Sequence, residues 1–260
     1  MADLNIELKK NKKIYFASDF HLGLSAFSRK HEIDREKKII RWLNSIEKNA
    51  QAIFLVGDIY DFWYEYKHVV PKGFVRFMGK IASLEDNGIP VYFFTGNHDL
   101  WLFRYLQQEL GVEVYEKPIE LQVNDSNLLI GHGDGLGPGD IFYKILKKIF
   151  TNKFTQWIFK WIHPDIGIGL GRRWSKSSRI RKSGKYEPFL GEKEFLIQYC
   201  KEKEIEKHHD FYIFGHRHLP LDVEINVRSK YYNLGEWVHN FTFGEFDGET
   251  FMLKTFEDGS

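Results

Sequence analysis

The sequence holds a single cysteine, Cys200, in 260 residues. One thiol excludes an internal disulfide framework and argues against a thiolate metal site. The expected setting is therefore a reducing, cytosolic one. Charge of one sign is not in excess, with Lys+Arg 37 against Asp+Glu 36 and a net charge of +1. With 43% hydrophobic residues, that balance excludes a disordered chain and fits a globular one. No uncharged apolar stretch reaches the roughly 18 residues of a membrane-spanning helix. Met1 to Asn5 lead into the lysines at 9–13 with no apolar core segment, so a secretory signal is not expected. There is no internal repeat and no low-complexity tract.

Aromatics, by contrast, are abundant: 23 Phe, 13 Tyr and 7 Trp. The first half alternates short apolar runs with helical periods. Runs at 14–17, 52–56, 91–94 and 128–130 read as strands, and 35–48, 74–84 and 100–110 read as helices. After a helix at 192–203, a run at 211–214 precedes strands expected at 222–227, 231–234, 238–243 and 250–256. Such alternation predicts an α/β layered fold with a β-rich end in one domain spanning 1–260. Residues 138–190 break the pattern and read as an inserted helical cap. From 144 to 185 twelve Lys and Arg stand against Asp165 alone, a net +11 that calls for an anionic partner. Two apolar stripes accompany the charge: Ile141, Phe142, Ile145, Leu146, Ile149 and Phe150, then Phe154, Trp157, Ile158, Trp161 and Ile162. Basic, aromatic, amphipathic helices suit an anionic membrane interface or a lipid substrate.

Five apolar runs end in polar idioms: Asp19-x-His21, Gly57-Asp58, Gly96-Asn97-His98-Asp99, Gly131-His132 and Gly215-His216-x-His218. Sites in open α/β sheets gather outside the carboxyl ends of strands, so these idioms should converge on one rim. They offer carboxylate, amide and imidazole ligands and no thiolate, a set that suits Mn²⁺, Fe or Zn²⁺. The five glycines from Gly131 to Gly139 suggest a phosphate-cradling loop, although no P-loop ending follows.

In order and spacing these idioms resemble the calcineurin-like metallophosphoesterase superfamily over residues 14 to about 235. The resemblance implies a four-layer α/β/β/α sandwich with two divalent metal ions. Carried over, Asp19, His21 and His218 hold one ion, Asn97, His132 and His216 the other, and Asp58 bridges them. It also implies that His98 faces the substrate as an electrostatic or general-acid group, with Asp61 as the carboxylate that orients it.

Within the superfamily the chain is most similar to the UDP-2,3-diacylglucosamine diphosphatases of lipid A biosynthesis. The opening Ser18-Asp19-Phe20-His21-Leu22-Gly23, the residues Asp140 and Tyr143 after His132-Gly133-Asp134, and the insert with Arg172, Ser175 and Lys176 carry this likeness. It implies a nucleotide-linked lipid substrate cleaved to UMP and 2,3-diacylglucosamine 1-phosphate, with Mn²⁺ as the expected metal. Asn97, His98, Asp140, Tyr143, Arg172, Ser175 and Lys176 are the implied substrate contacts. The implied place is the inner face of the cytoplasmic membrane, peripherally bound, with no nucleic acid partner. Two positions depart from the usual pattern: His98 stands where the best-known members have Arg, and Arg217 where Thr is more usual. Rival readings are a hydrolase of another nucleotide-linked lipid or soluble phosphodiester, a nucleic-acid-binding protein or nuclease, and a non-catalytic metal-binding scaffold. His68 and His163 read as structural or surface residues, His208 and His209 as exposed, His239 as packed on a strand, and Cys200 as a small apolar residue in a helix. Oligomeric state is not legible.

Overall fold

The computed structural model describes residues 3–24, 27–139, 141–182 and 188–257, with the side chains of 176–182 outside the description. Two six-stranded sheets form its centre. The first has the order β12 (Phe251–Thr255), β11 (Thr242–Phe246), β2 (Lys13–Ala17), β3 (Ala50–Val56), β4 (Val91–Phe94), β5 (Glu113–Tyr115). The second runs β1 (Leu4–Ile6), β6 (Ile119–Val123), β7 (Ser126–Gly131), β8 (Phe211–Phe214), β10 (Ser229–Asn233), β9 (Leu221–Asn226). Strands β2 to β5 pair in parallel, as do β7, β8 and β10.

Period-two alternation sorts the side chains into layers. Ile14, Phe16, Phe54 and Phe94 face Leu121, Leu128, Ile130 and Ile213 across the two sheets. On the outer face of the first sheet, Tyr15, Ile53, Leu55 and Phe93 pack with α1 (Arg29–Ile46), α2 (Val75–Asp86) and α3 (Tyr105–Leu110). α1 is capped by Ser28 and lays Ile39, Trp42, Leu43 and Ile46 on the sheet, a helical spacing. On the far side Leu129, Tyr212, Phe214 and Tyr231 pack against Leu196, Ile197 and Cys200 of a C-terminal helix, Phe195–Glu206. The result is the expected α/β/β/α order.

Between β7 and β8 lie α4 (Ile141–Thr151), α5 (Lys153–Lys160) and α6 (Pro164–Lys182); the helix Phe195–Glu206 is α7. Among the described residues no helix is long and apolar enough to cross a membrane.

Several local expectations are corrected. Residues 238–241 are not strand: Glu236 accepts the N–H groups of Val238, His239 and Asn240 and closes a turn, so β11 starts at Thr242. His239 is consequently exposed rather than packed. The helix expected at 100–110 begins only at Tyr105, because the Glu65 carboxylate takes the N–H groups of Phe103, Arg104 and Tyr105. His209, expected to be exposed, is 2% exposed. The short strands β1 and β5 had no sequence signal that separated them from loop, and the apolar/polar alternation of β6 at Ile119–Val123 was not read as a strand.

Candidate metal centre

Strands β2, β3, β4, β7 and β8 end at residues 17, 56, 94, 131 and 214, and each polar idiom follows directly. Parallel pairing puts these ends on one rim. The turns there are tight. Among the described residues nine non-glycines have positive φ, and five of them are Asp19, His21, Asp58, His216 and His218. Left-handed backbone at non-glycine residues costs free energy and clusters where surrounding structure holds a site in place. The glycines in the idioms permit close approach: a Cβ on Gly96 would sit on Asp58 Oδ1, and one on Gly215 would lie 2.6 Å from Asp19 Oδ2.

Three groups result among the described residues: one joins His21 to Asp61 and His98, and the other two hold the expected ligands. Asp19, His21, Asp58 and His218 bring their ligand atoms within 4.8 Å of one another, and so do Asp58, His132 and His216. Asp58 belongs to both. His218 Nε2 lies 2.9 Å from Asp19 Oδ1 and 3.1 Å from His21 Nε2. Asn97 Oδ1 lies 2.9 Å from His216 Nδ1, which places the amide at the second group. The seven candidate ligands expected from the sequence thus meet in one place.

The donor set fits divalent cations. His132 Nδ1 donates to the Val56 carbonyl at 2.9 Å, so the ring is oriented from behind. Its buried Nε2 makes no hydrogen bond among the described residues and faces Asp58 Oδ2 at 3.4 Å. Burial pulls the His132 imidazole down, but the Asp58 carboxylate outweighs it and lifts the group to about 10. His216 is pulled down to about 4 by burial and by His132 beside it. Asp58 is held well below the carboxylate range: burial pushes it up, and the charges of His132 and His98 outweigh that.

These shifts set a pH dependence. Below about pH 10 the metal-free His132 carries a proton that a cation must displace. Metal affinity should therefore rise with pH, by about tenfold per unit for each proton displaced. Calorimetric Mn²⁺ titration in buffers of different ionisation enthalpy reads this directly. Heats independent of the buffer would contradict it.

Two supports of the site escaped the sequence reading. Asp99 is fully buried and clamps two loops: Oδ1 accepts from Gly96 N at 2.7 Å and Asp58 N at 3.3 Å, and Oδ2 from Ile59 N at 2.8 Å and Tyr60 N at 3.2 Å. Burial and the neighbouring Asp58 push its carboxyl up to about 7, against the amides that favour the ionised form. Arg35 of α1 donates to the Phe20 and His21 carbonyls, both at 2.7 Å, and pins the first idiom from below. The place of Asp99 within the Gly96-Asn97-His98-Asp99 idiom was its one available signal; Arg35 gave none.

His98 N donates to Asp58 Oδ1 at 2.8 Å. The sequence reading expected the Asp61 carboxylate to orient His98, but the short contact comes from the Asp61 backbone carbonyl. His98 Nδ1 lies 3.1 Å from the Asp61 backbone carbonyl and 4.0 Å from the carboxylate. A carbonyl can only accept, so Nδ1 carries the hydrogen. Asp61 Oδ2 accepts from Ser175 Oγ at 2.8 Å.

Beside this rim a cavity of about 470 Å³ opens between core and insert. Asp61, Asn97 and His98 form its polar end, while Phe62, Trp101, Phe150, Phe159, Leu170 and Trp174 make its walls apolar. Of the expected substrate contacts, Asn97, His98, Tyr143 and Ser175 line this cavity. Tyr143 also donates to Asp134 at 2.5 Å, next to Lys147 Nζ at 2.6 Å. Burial pushes the Asp134 carboxyl up, but Lys147 outweighs it and the group is held low. Arg172 is exposed and is not among the described residues that line the cavity. Asp140 and the Lys176 side chain lie outside the described residues.

Buried carboxylates and imidazoles at the strand ends of a four-layer sandwich define a metal-dependent phosphoester hydrolase. The chain belongs to the calcineurin-like phosphoesterase family, whose model matches residues 12–220. It is 36% identical over 263 residues to the UDP-2,3-diacylglucosamine hydrolase of Porphyromonas gingivalis (strain ATCC BAA-308 / W83), covering 95% of this chain and 98% of that one. It is 26% identical over 226 residues to the UDP-2,3-diacylglucosamine hydrolase of Proteus mirabilis (strain HI4320), covering 85% and 90%.

Proposed function

We propose that this chain hydrolyses the pyrophosphate of UDP-2,3-diacylglucosamine to UMP and 2,3-diacylglucosamine 1-phosphate, a step of lipid A biosynthesis. One observation carries the reading: an apolar cavity of about 470 Å³ ends at His98 and Asn97, beside the ligand cluster. A substrate with acyl chains next to a diphosphate needs such a juxtaposition. The near full-length likeness to a hydrolase named for this substrate supports it.

Asp19, His21 and His218 would hold one divalent ion and Asn97, His132 and His216 the other, with Asp58 between; Mn²⁺ suits this mixed oxygen and imidazole set. Such ions polarise phosphoryl oxygens and lower the pKa of water. The rest falls to the protein. With Nδ1 committed to the Asp61 carbonyl, His98 keeps Nε2 to hold or pass a proton at the leaving phosphate. Ser175 fixes the Asp61 side chain beneath it. Tyr143, Ser175, Arg172, Asp140 and Lys176 are the proposed cap contacts, in a single domain whose insert spans about 138–190. The acyl chains are worth up to about 0.8 kcal/mol per buried CH₂. UDP-2,3-diacylglucosamine should therefore exceed UDP-N-acetylglucosamine in kcat/KM by roughly 10³-fold or more. Equal values for the two would count against a lipid site.

The insert also supports peripheral attachment to the inner face of the cytoplasmic membrane. Phe142, Phe154, Trp157 and Trp161 are 78%, 65%, 54% and 75% exposed, amid the basic residues of α4 to α6. Replacing Trp157 and Trp161 together by Ser should weaken flotation with phosphatidylglycerol vesicles by more than about tenfold. Unchanged flotation would mean that these two tryptophans do not contact the membrane.

A further inference from the structure

Arg217 stands between two proposed ligands, His216 and His218, and its guanidinium is engaged with the insert's return limb. Nε donates to Glu194 Oε2 at 3.0 Å and Nη2 to Glu194 Oε1 at 2.8 Å, a two-pronged ion pair. Both side chains are buried, 6% and 1% exposed. Nη2 also reaches the Pro188 carbonyl at 3.4 Å, and Glu194 Oε1 accepts from Leu190 N at 3.2 Å. Residues 188–194, where the chain returns from the insert to α7, are thereby fastened to the loop that carries His216 and His218.

That loop needs fastening. His216 and His218 have φ of 68° and 55°, a conformation that persists only where neighbours impose it. Other supports act at its first half. His216 N donates to Asp19 Oδ2 at 3.0 Å, Gly215 N to the His132 carbonyl at 3.0 Å, and Asn233 Nδ2 to the Gly215 carbonyl. The Arg217–Glu194 pair acts at the residue joining the two ligands. A buried two-pronged charge pair fixes geometry more reliably than it adds stability.

We infer that Arg217 is a positioning residue whose pair with Glu194 couples residues 188–194 to the metal ligands. Holding the ions and ordering this limb then favour each other, and the coupling is reciprocal. The inference rests on the metal-centre reading above.

The test is Mn²⁺ titration followed by electron paramagnetic resonance, with hydrogen exchange of residues 188–194 measured with and without Mn²⁺. Wild type, Arg217→Met and Glu194→Gln are compared, with Lys230→Met of the exposed Lys230–Asp222 pair as control. Both pair variants should bind at least one ion about tenfold or more weakly, as expected for loss of a group supporting metal ligands. They should also lose the Mn²⁺-dependent protection of 188–194, while the control behaves as wild type. Lower thermal stability with unchanged Mn²⁺ affinity and protection is what a merely structural pair would give, and it overturns the inference. A wild type that binds no Mn²⁺ overturns the metal-centre reading itself and this inference with it. If Arg217→Met does not fold, Glu194→Gln carries the same comparison.

Discussion

Asp58→Ala should bind at most one divalent ion per chain and lose turnover by at least about 10³-fold. The size follows from what Asp58 does. It is the one residue shared by the two groups that hold the expected ligands, and its Oδ1 also accepts the His98 backbone N–H at 2.8 Å. Two cations at close range need a shared anion to offset their repulsion. Without it, His132 also loses the charge that lifts its imidazole to about 10. Asp58→Asn separates the two roles, since an amide oxygen keeps the acceptor for His98 N–H but not the charge. It should resemble the alanine variant in metal stoichiometry and the wild type in thermal stability without metal. Two ions bound to Asp58→Ala with near-normal turnover would show that Asp58 bridges nothing.

Asp99→Ala should cost more stability than any substitution among the proposed metal ligands. The carboxylate accepts four backbone N–H groups from the Gly57–Asp58 and Gly96–Asn97 turns, all buried. Each orphaned buried donor costs roughly 1–3 kcal/mol, with partial relaxation, so about 3–5 kcal/mol in all is reasonable. For a chain of this size that lowers Tm by roughly 10 °C. Asp99→Asn keeps one acceptor oxygen and should fall between the two. Thermal unfolding in metal-free buffer measures this. A Tm within about 2 °C of wild type for Asp99→Ala would mean the turns hold themselves.

The α/β class of the fold and the convergence of the candidate site residues were both legible in the sequence. The idioms that carry Asp19, Asp58, Asn97, His132 and His216 each follow a strand, and parallel strands deliver their ends to one edge. Sequence-local features, an apolar run and the turn behind it, were therefore enough to bring distant residues together. What escaped depends on contacts across the fold. Asp99 clamps a loop some 40 residues earlier, Arg35 reaches carbonyls of another element, and the link from Asp61 to His98 runs through a backbone carbonyl. No periodicity reports such contacts. The same cause shortened the helix expected from residue 100, because its true start is set by Glu65, which lies in a separate segment. Residues 238–241 misread as strand because their apolar and aromatic content outweighed the local capping by Glu236. The insert's composition was informative in a different way. An apolar face at Phe142, Trp157 and Trp161 that the core does not cover is what an excess of basic and aromatic residues implied.

UMP release from UDP-2,3-diacylglucosamine by the purified chain, with Mn²⁺ and then with excess chelator, reads the metal dependence and the substrate together. Stoichiometric UMP and 2,3-diacylglucosamine 1-phosphate are expected in Mn²⁺, with no release above background once the metal is removed. Release that persists in chelator would contradict the metal centre. Absence of UMP while a generic aryl phosphodiester is cleaved would leave the hydrolase in place and contradict the lipid substrate.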